Sequence, residues 1–350
     1  MQKGKLSITR RHFVKRTSIA LSAASGLPLI SNCTSGTNSP ESVSDENKGF
    51  NDNRGGNQPP RYTFENGIAR RVLGKTGLNV SLLAFGGGSQ FMLCGDKDYE
   101  QLLERAVQSG INLFDTCWNY GDGQSEVRLG KVLNQYRDQV YISTKLDARD
   151  SDGAKNQFEG CLNRLKMDYV DILMMHAISE DDRLSIIENG VYKEMVKFKN
   201  EGTAKFIGFS VMQEEDLPVA KSLVDNLEFD VVLGIVNPVG KYGNCSKLVP
   251  ALKAKNIGLL GMKVIRKLLD NQTTARELIT YSLDQDFVSA AVISHQDIDK
   301  LEENVNIVTE YSDTTGIPRD WGALEEKYEL YAQNHTPVWA LPGYRDGMMV

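Results

Sequence analysis

The chain has 350 residues, is 41% hydrophobic and carries a formal net charge of −6. That length suits one large domain or two ordinary ones with a sizeable core. The acidic balance argues against a nucleic-acid partner, which would need a basic stripe, and no run approaches the about 20 apolar residues of a membrane-spanning helix.

In chain order, the first unit, residues 1–33, reads as an address rather than as structure. A charged start from Thr9 to Lys15 precedes a modest apolar stretch over 19–30, the plan of a secretory signal. Arg10 and Arg11, with Phe13 two positions on, resemble a twin-arginine signal, which routes folded proteins. Leu29-Ile30-Ser31-Asn32-Cys33 is similar to a bacterial lipoprotein box, although Asn32 stands where Gly, Ala or Ser is usual. The expectation is a lipid anchor at Cys33, and the alternative is plain cleavage nearby. The expected location is periplasmic, or membrane-anchored facing the periplasm, and cytoplasmic if the signal is unused. Residues 34–60 are rich in Ser, Asn, Gly, Asp and Glu. They cannot bury enough surface to offset their ordering entropy, so they are expected to be a flexible linker.

From residue 61 to 350 a single domain is expected. Strands are expected at 81–85, 111–114, 140–144, 170–175, 204–209, 231–236, 258–262 and 290–293. Helices are expected between them, at 98–109, 125–135, 154–165, 187–201 and 214–227. In the third of these, Phe158, Leu162 and Leu165 recur at helical spacing. Strands that alternate with helices imply parallel pairing. Eight such units predict a (β/α)8 TIM barrel in the α/β class. The competing architecture, an open doubly wound sheet, usually shows GxGxxG after its first strand. Here Gly86-Gly87-Gly88 follows that strand without the third spaced glycine. Gly87 and Gly88 therefore read either as a tight turn or as a place of close backbone approach to a ligand. Cys94, Cys117, Cys161 and Cys245 show no metal-ligand spacing. They are expected as buried thiols, with a pairing left open, and no metal is expected.

The densest polar signal is Asp115 to Glu126 (DTCWNYGDGQSE) at the end of the second strand. Lys145 closes the third strand and His176 the fourth. Asp115, Tyr120, Lys145 and His176 at consecutive strand tips suggest one site at the mouth of the barrel. A Tyr hydroxyl there can give a proton to a carbonyl oxygen. An unperturbed Tyr titrates near about 10, and a neighbouring ammonium is expected to pull that down.

These residues resemble the aldo/keto reductase family. The resemblance runs from about residue 69 to 310. It is carried by Arg71 to Val80 (RVLGKTGLNV), the Asp115–Glu126 run, Asp168-Tyr-Val-Asp-Ile172 leading to His176, Lys205 to Ser210 (KFIGFS), and Leu301-Glu-Glu-Asn304. It implies a nicotinamide cofactor, NADP or NAD, and a catalytic tetrad at Asp115, Tyr120, Lys145 and His176. In that reading Tyr120 moves the proton, Lys145 tunes it, Asp115 holds Lys145, and His176 donates to the substrate oxygen as in an oxyanion site. It also implies cofactor contacts at Gly87, Gly88, Ser210, Asn237, Lys263, Lys300, Glu303 and Asn304. Lys263 is expected near the pyrophosphate and Lys300 near a 2′-phosphate.

The chain departs from the family pattern in the nicotinamide pocket. Val211 follows Ser210 where Asn is usual, Leu233 replaces Gln, and Val236 replaces a stacking Tyr. The tail 311–350 concentrates Tyr311, Trp321, Tyr328, Tyr331, Trp339 and Tyr344. It is expected either to cover the substrate mouth or to pack as a helix on the outside of the barrel. It carries no cysteines, so the iron–sulfur module in which some relatives end is not expected. The expected activity interconverts a small-molecule carbonyl and an alcohol, on a sugar or glycoside with a tightly held cofactor. A non-catalytic binding or scaffold role on the same barrel is the alternative. A monomer is expected.

Overall fold

The computed structural model describes residues 63–344, 346 and 347, except 66, 271, 286, 315 and 316. The expected signal, the lipid-anchor cysteine Cys33 and the linker lie outside the described residues.

Three short strands come first: β1 (Thr63–Glu65), β2 (Ile68–Val72) and β3 (Asn79–Ser81). They form an antiparallel sheet in the order β1-β2-β3. Eight further strands follow: β4 (Leu83–Gly86), β5 (Leu113–Asp115), β6 (Tyr141–Leu146), β7 (Val170–Ile178), β8 (Ala204–Val211), β9 (Val231–Ile235), β10 (Gly258–Met262) and β11 (Val288–Ile293). All eight pair in parallel with their chain neighbours, and β11 returns to β4 to close the barrel. The (β/α)8 expectation is met, with every expected strand within a few residues of its place. The antiparallel β1–β3 sheet was not expected. Ser81 belongs to β3, and the first barrel strand starts at Leu83.

Barrel strands are buried on both faces, which is why they read as continuous apolar runs. At their N-terminal ends buried polar side chains tie neighbours together. Asn112 Oδ1 accepts from the Ser81 N–H at 2.8 Å, Asp171 Oδ2 from Ile142 N–H at 2.9 Å, and Asp230 Oδ2 from Ile207 N–H at 3.0 Å. Asp171 also meets Arg137 at 2.8 Å and Lys205 at 3.0 Å. These clamps leave the C-terminal ends of the strands free for chemistry.

One expected helix, 187–201, is two: Leu184–Asn189 and Val191–Glu201. Gly190 divides them. A Cβ there would lie 2.1 Å from the Arg149 carbonyl oxygen, which accepts from Val191 N–H at 2.9 Å. The tail does both things expected of it. A helix at Gly322–Asn334 packs through Tyr328, which is buried along with Trp339 beyond the helix. The chain then returns to the mouth of the barrel at Tyr344, Asp346 and Gly347. The four described cysteines are buried and free. No described helix is long and apolar enough to cross a membrane.

Candidate active site

The strand ends deliver three of the four expected residues. Asp115 ends β5, Lys145 is the penultimate residue of β6, and His176 lies near the end of β7. Tyr120 stands on the turn before the helix Gln124–Leu133. That turn is pinned from below. Glu126 is fully buried, accepting from Thr144 Oγ1 at 2.5 Å and pairing with Arg164 at 2.7 Å. Ser125 accepts from Thr116 Oγ1 at 2.7 Å. The Ser-Glu end of the motif is therefore structural, and it aims Tyr120 inward.

Lys145 is the centre of the constellation. Its Nζ is fully buried and donates to Asp115 Oδ2 at 2.6 Å, to Thr116 O at 2.7 Å and to Tyr120 OH at 3.3 Å. Ser143 Oγ holds the other Asp115 oxygen at 2.9 Å. Burial alone would lower the Lys145 pKa, but the Asp115 carboxylate outweighs it, so Lys145 stays charged. The Tyr120 and His176 rings meet edge to face, 5.8 Å between centroids. His176 Nδ1 faces Asp147 Oδ1 at 2.7 Å and Cys117 Sγ at 3.4 Å. Since Asp147 can only accept, Nδ1 carries a proton. Burial would lower the His176 pKa, but Cys117, Asp147 and Asp346 overcome this and hold it well above the usual histidine range.

Asp346 was not anticipated. Its Oδ2 accepts from Tyr120 OH at 2.5 Å and lies 3.5 Å from His176 Nε2. Its Oδ1 pairs with Lys263 Nζ. Burial first, and the Asp346 charge second, raise the Tyr120 pKa well above the ordinary tyrosine value. The downward pull expected from Lys145 is thus overcome in this arrangement. Burial would raise the Asp346 carboxyl, but Lys263, His176 and Lys145 together hold it well below the usual carboxylate range.

A cavity of about 720 Å³ runs from Asp115 and Tyr120 along β10 and β11 to Asn304. This is within the usual range for small-molecule sites. Gly88, Lys263, Lys300, Glu303 and Asn304 line it as expected, and Arg266, Lys267 and His295 join them. Lys263, however, turns its Nζ to Asp346 and to Tyr344 OH at 2.8 Å, at the tyrosine end. Lys300 pairs with Glu303 at 2.8 Å at the far end.

Gly87, Ser210 and Asn237 do not line the cavity. Gly87 N–H donates to Asp115 O at 2.6 Å and ties β4 to β5. Ser210 Oγ accepts from the Ala177 N–H at 2.7 Å. Ala177 sits in an irregularity of β7, with φ 46°, directly after His176. Asn237 Nδ2 donates to Lys263 O at 3.0 Å, and Lys263 has φ 57°. Positive φ is uncommon outside glycine. Ser210 and Asn237 therefore hold the backbone at two such positions, each beside a charged side chain of the mouth.

Two residues of this site carried little sequence signal. Asp147 lies two residues after Lys145, so strand alternation puts them on one face. Asp346 sits in a tail whose path no periodicity reveals.

The far end of the cavity suits an anionic ligand that brings hydrogen-bond acceptors. Asn304 Nδ2 meets His295 Nε2 at 3.0 Å. An amide nitrogen only donates, so the His295 proton sits on Nδ1, which is buried and has no partner. Burial pushes the His295 pKa down to about 4, so the ring is neutral. A buried orphan donor beside a cavity with four basic side chains is an unmet demand for acceptors.

Residues 83–274 match the family model "Aldo/keto reductase family". L-galactose dehydrogenase of Arabidopsis thaliana is 29% identical over 285 residues, covering 69% of this chain and 89% of that protein. The holo form of an aldo-keto reductase from Bacillus halodurans superposes with a TM-score of 0.61. It is 19% identical and covers 76% of this chain and 96% of its own. A proposed aldo-keto reductase from Pseudomonas aeruginosa is 27% identical with a TM-score of 0.58, covering 69% of this chain and 94% of its own. With its parallel eight-stranded barrel and the matched span of sequence, the chain belongs to the aldo/keto reductase family of oxidoreductases.

Proposed function

We propose that the protein is a nicotinamide-dependent oxidoreductase that interconverts a carbonyl and an alcohol, with Tyr120 moving the proton. The observation that carries this is the chain Asp115–Lys145–Tyr120, at 2.6 and 3.3 Å, with the His176 ring beside the phenol. When bound, the nicotinamide supplies or takes the hydride. The residues of the chain do the rest. Tyr120 protonates the carbonyl oxygen, and the Lys145 ammonium stabilises the tyrosinate left behind. Asp115 compensates the buried Lys145 charge. Asp147 fixes the His176 ring through Nδ1, which leaves Nε2 to donate to the substrate oxygen. The fit of the cofactor rests on the cavity, its basic lining and the orphan His295 Nδ1. Lys267, Lys300 and Asn304 would hold its phosphate and adenosine portions.

Similarity to an L-galactose dehydrogenase supports a sugar or related polyhydroxylated substrate. The paired Arg10 and Arg11 support export of the folded protein with its cofactor aboard, a resident redox centre where free cofactor is scarce. Tyr120→Phe tests the chemistry. The expected result is a fall in kcat of about 10²–10⁴-fold with cofactor binding retained. A kcat within a few-fold of the parent rules out Tyr120 as the proton donor and returns weight to a binding role.

A further inference from the structure

The mouth of the barrel already contains a carboxylate. Tyr120 and His176 are the groups that the proposed chemistry aims at the reacting oxygen, and Asp346 Oδ2 lies between them, 2.5 Å from the phenol and 3.5 Å from Nε2. Gly347 closes the same space. Its φ is +82°, and a Cβ there would lie 2.4 Å from the Tyr120 ring. A substrate oxygen can reach Tyr120 only by displacing Asp346.

Displacement has a consequence for Lys263. Its side chain is 7% exposed, and Asp346 is its one carboxylate partner among the described residues. Tyr344 OH at 2.8 Å and the Tyr344 ring remain, but neither carries charge. A buried ammonium left without a counter-charge is strongly disfavoured. The ligand that replaces Asp346 therefore has to bring an anion to Lys263. Both oxygens of a single carboxylate touch Tyr120 and Lys263, so this cation stands beside the reacting oxygen, away from the Lys300 end of the cavity.

We propose that Lys263 is a carboxylate subsite adjoining the reacting oxygen, and that the substrate is a small 2-oxo acid or its 2-hydroxy counterpart, including sugar acids. Asp346 is its intramolecular stand-in. This rests on the oxidoreductase reading above for the placement of the reacting oxygen. The carbonyl oxygen takes the place of Oδ2, and the neighbouring carboxylate takes that of Oδ1. In the reducing direction the oxo acid gains a hydride at its carbonyl carbon and a proton from Tyr120 at oxygen. Its C=O π bond opens to give the hydroxy acid, and a reduced nicotinamide held in the cavity would supply the hydride with its two electrons.

The test has a binding arm and a kinetic arm. Oxalate, which is not turned over, is titrated calorimetrically into the parent, Asp346→Asn and Lys263→Met proteins. The expected result is binding about tenfold tighter in Asp346→Asn and at least about tenfold weaker in Lys263→Met, with partial recovery in Lys263→Arg. In the kinetic arm 2-ketogluconate is compared with fructose, which differs only in carrying a hydroxymethyl group at C1. The acid is expected to be preferred by about 100-fold in kcat/KM, and Lys263→Met to remove most of that preference while NADH and NADPH affinities hold. Oxalate binding indifferent to Lys263→Met overturns the proposal. So does a Lys263→Met variant that loses dinucleotide affinity and keeps its oxalate affinity, because the cation then serves the cofactor. Lys263-dependent oxalate binding with neither ketone reduced supports the subsite and contradicts the oxidoreductase reading instead.

Discussion

Tyr120 is held as an acid by its surroundings. Burial and the Asp346 carboxylate both favour the neutral phenol, while the Lys145 ammonium at 3.3 Å favours the anion. Replacing Asp346 by Asn removes the largest upward cause after burial, so the Tyr120 pKa falls. In the proposed chemistry, reduction requires the protonated phenol in the free enzyme. The basic limb of kcat/KM against pH therefore moves to lower pH in Asp346→Asn, a shift that a pH–rate series measures. An unchanged limb would mean that Asp346 is not beside Tyr120 in solution. Asp147 acts through another group, His176, whose ring it orients at 2.7 Å. Its pKa is held down because the His176 hydrogen bond and charge outweigh burial. Its one sequence signal was a place two residues after Lys145, whereas Asp346 had none, because a tail contact obeys no local pattern.

The strands were legible because parallel strands covered on both faces are unbroken apolar runs, and each such run ended at a polar or glycine residue. What was not legible depended on contacts distant in sequence. The β1–β3 sheet has arginines at 70 and 71 in its middle strand. Arg71 is buried by donating to Leu283 O at 3.0 Å and to Val288 O, more than 200 residues away. The break at Gly190 is set by the Arg149 carbonyl, not by the helical periodicity on either side. The Asp168–Ile172 segment carried the family resemblance, yet its Asp171 proves to be a clamp between β6 and β8 rather than a site residue. Asp171→Ala would strand the Ile142 N–H and leave Arg137 partly buried without its carboxylate. A loss of about 3 kcal/mol in unfolding free energy is expected, read from the denaturant midpoint. A loss below about 0.5 kcal/mol would show that the clamp is not formed.

At the scale of the whole molecule, the barrel divides labour between its two ends. Buried clamps at the N-terminal ends of the strands hold the wall, and the C-terminal ends carry Asp115, Lys145, His176 and the cavity. Asp115, Lys145 and His176 of the proposed site could be read from sequence because they lie at or near strand ends in chain order, and Tyr120 follows Asp115 on the turn before the helix. The expected cofactor contacts were harder to read. Ser210 and Asn237 turn out to hold the backbone next to His176 and at Lys263, a role visible only once the irregularity in β7 and the left-handed Lys263 are seen. Binding of a dinucleotide to the folded state alone should also raise stability, by about 2.7 kcal/mol at a hundredfold excess over Kd. A thermal scan with and without NADH or NADPH reads this as a rise in Tm. The most direct measurement of the central claim is the cofactor itself. The protein is purified from its own host, denatured, and the supernatant analysed by mass spectrometry for NAD(H) and NADP(H). Near-stoichiometric nicotinamide dinucleotide is the predicted result. A protein that arrives empty and then takes up neither NADH nor NADPH on titration would contradict the account.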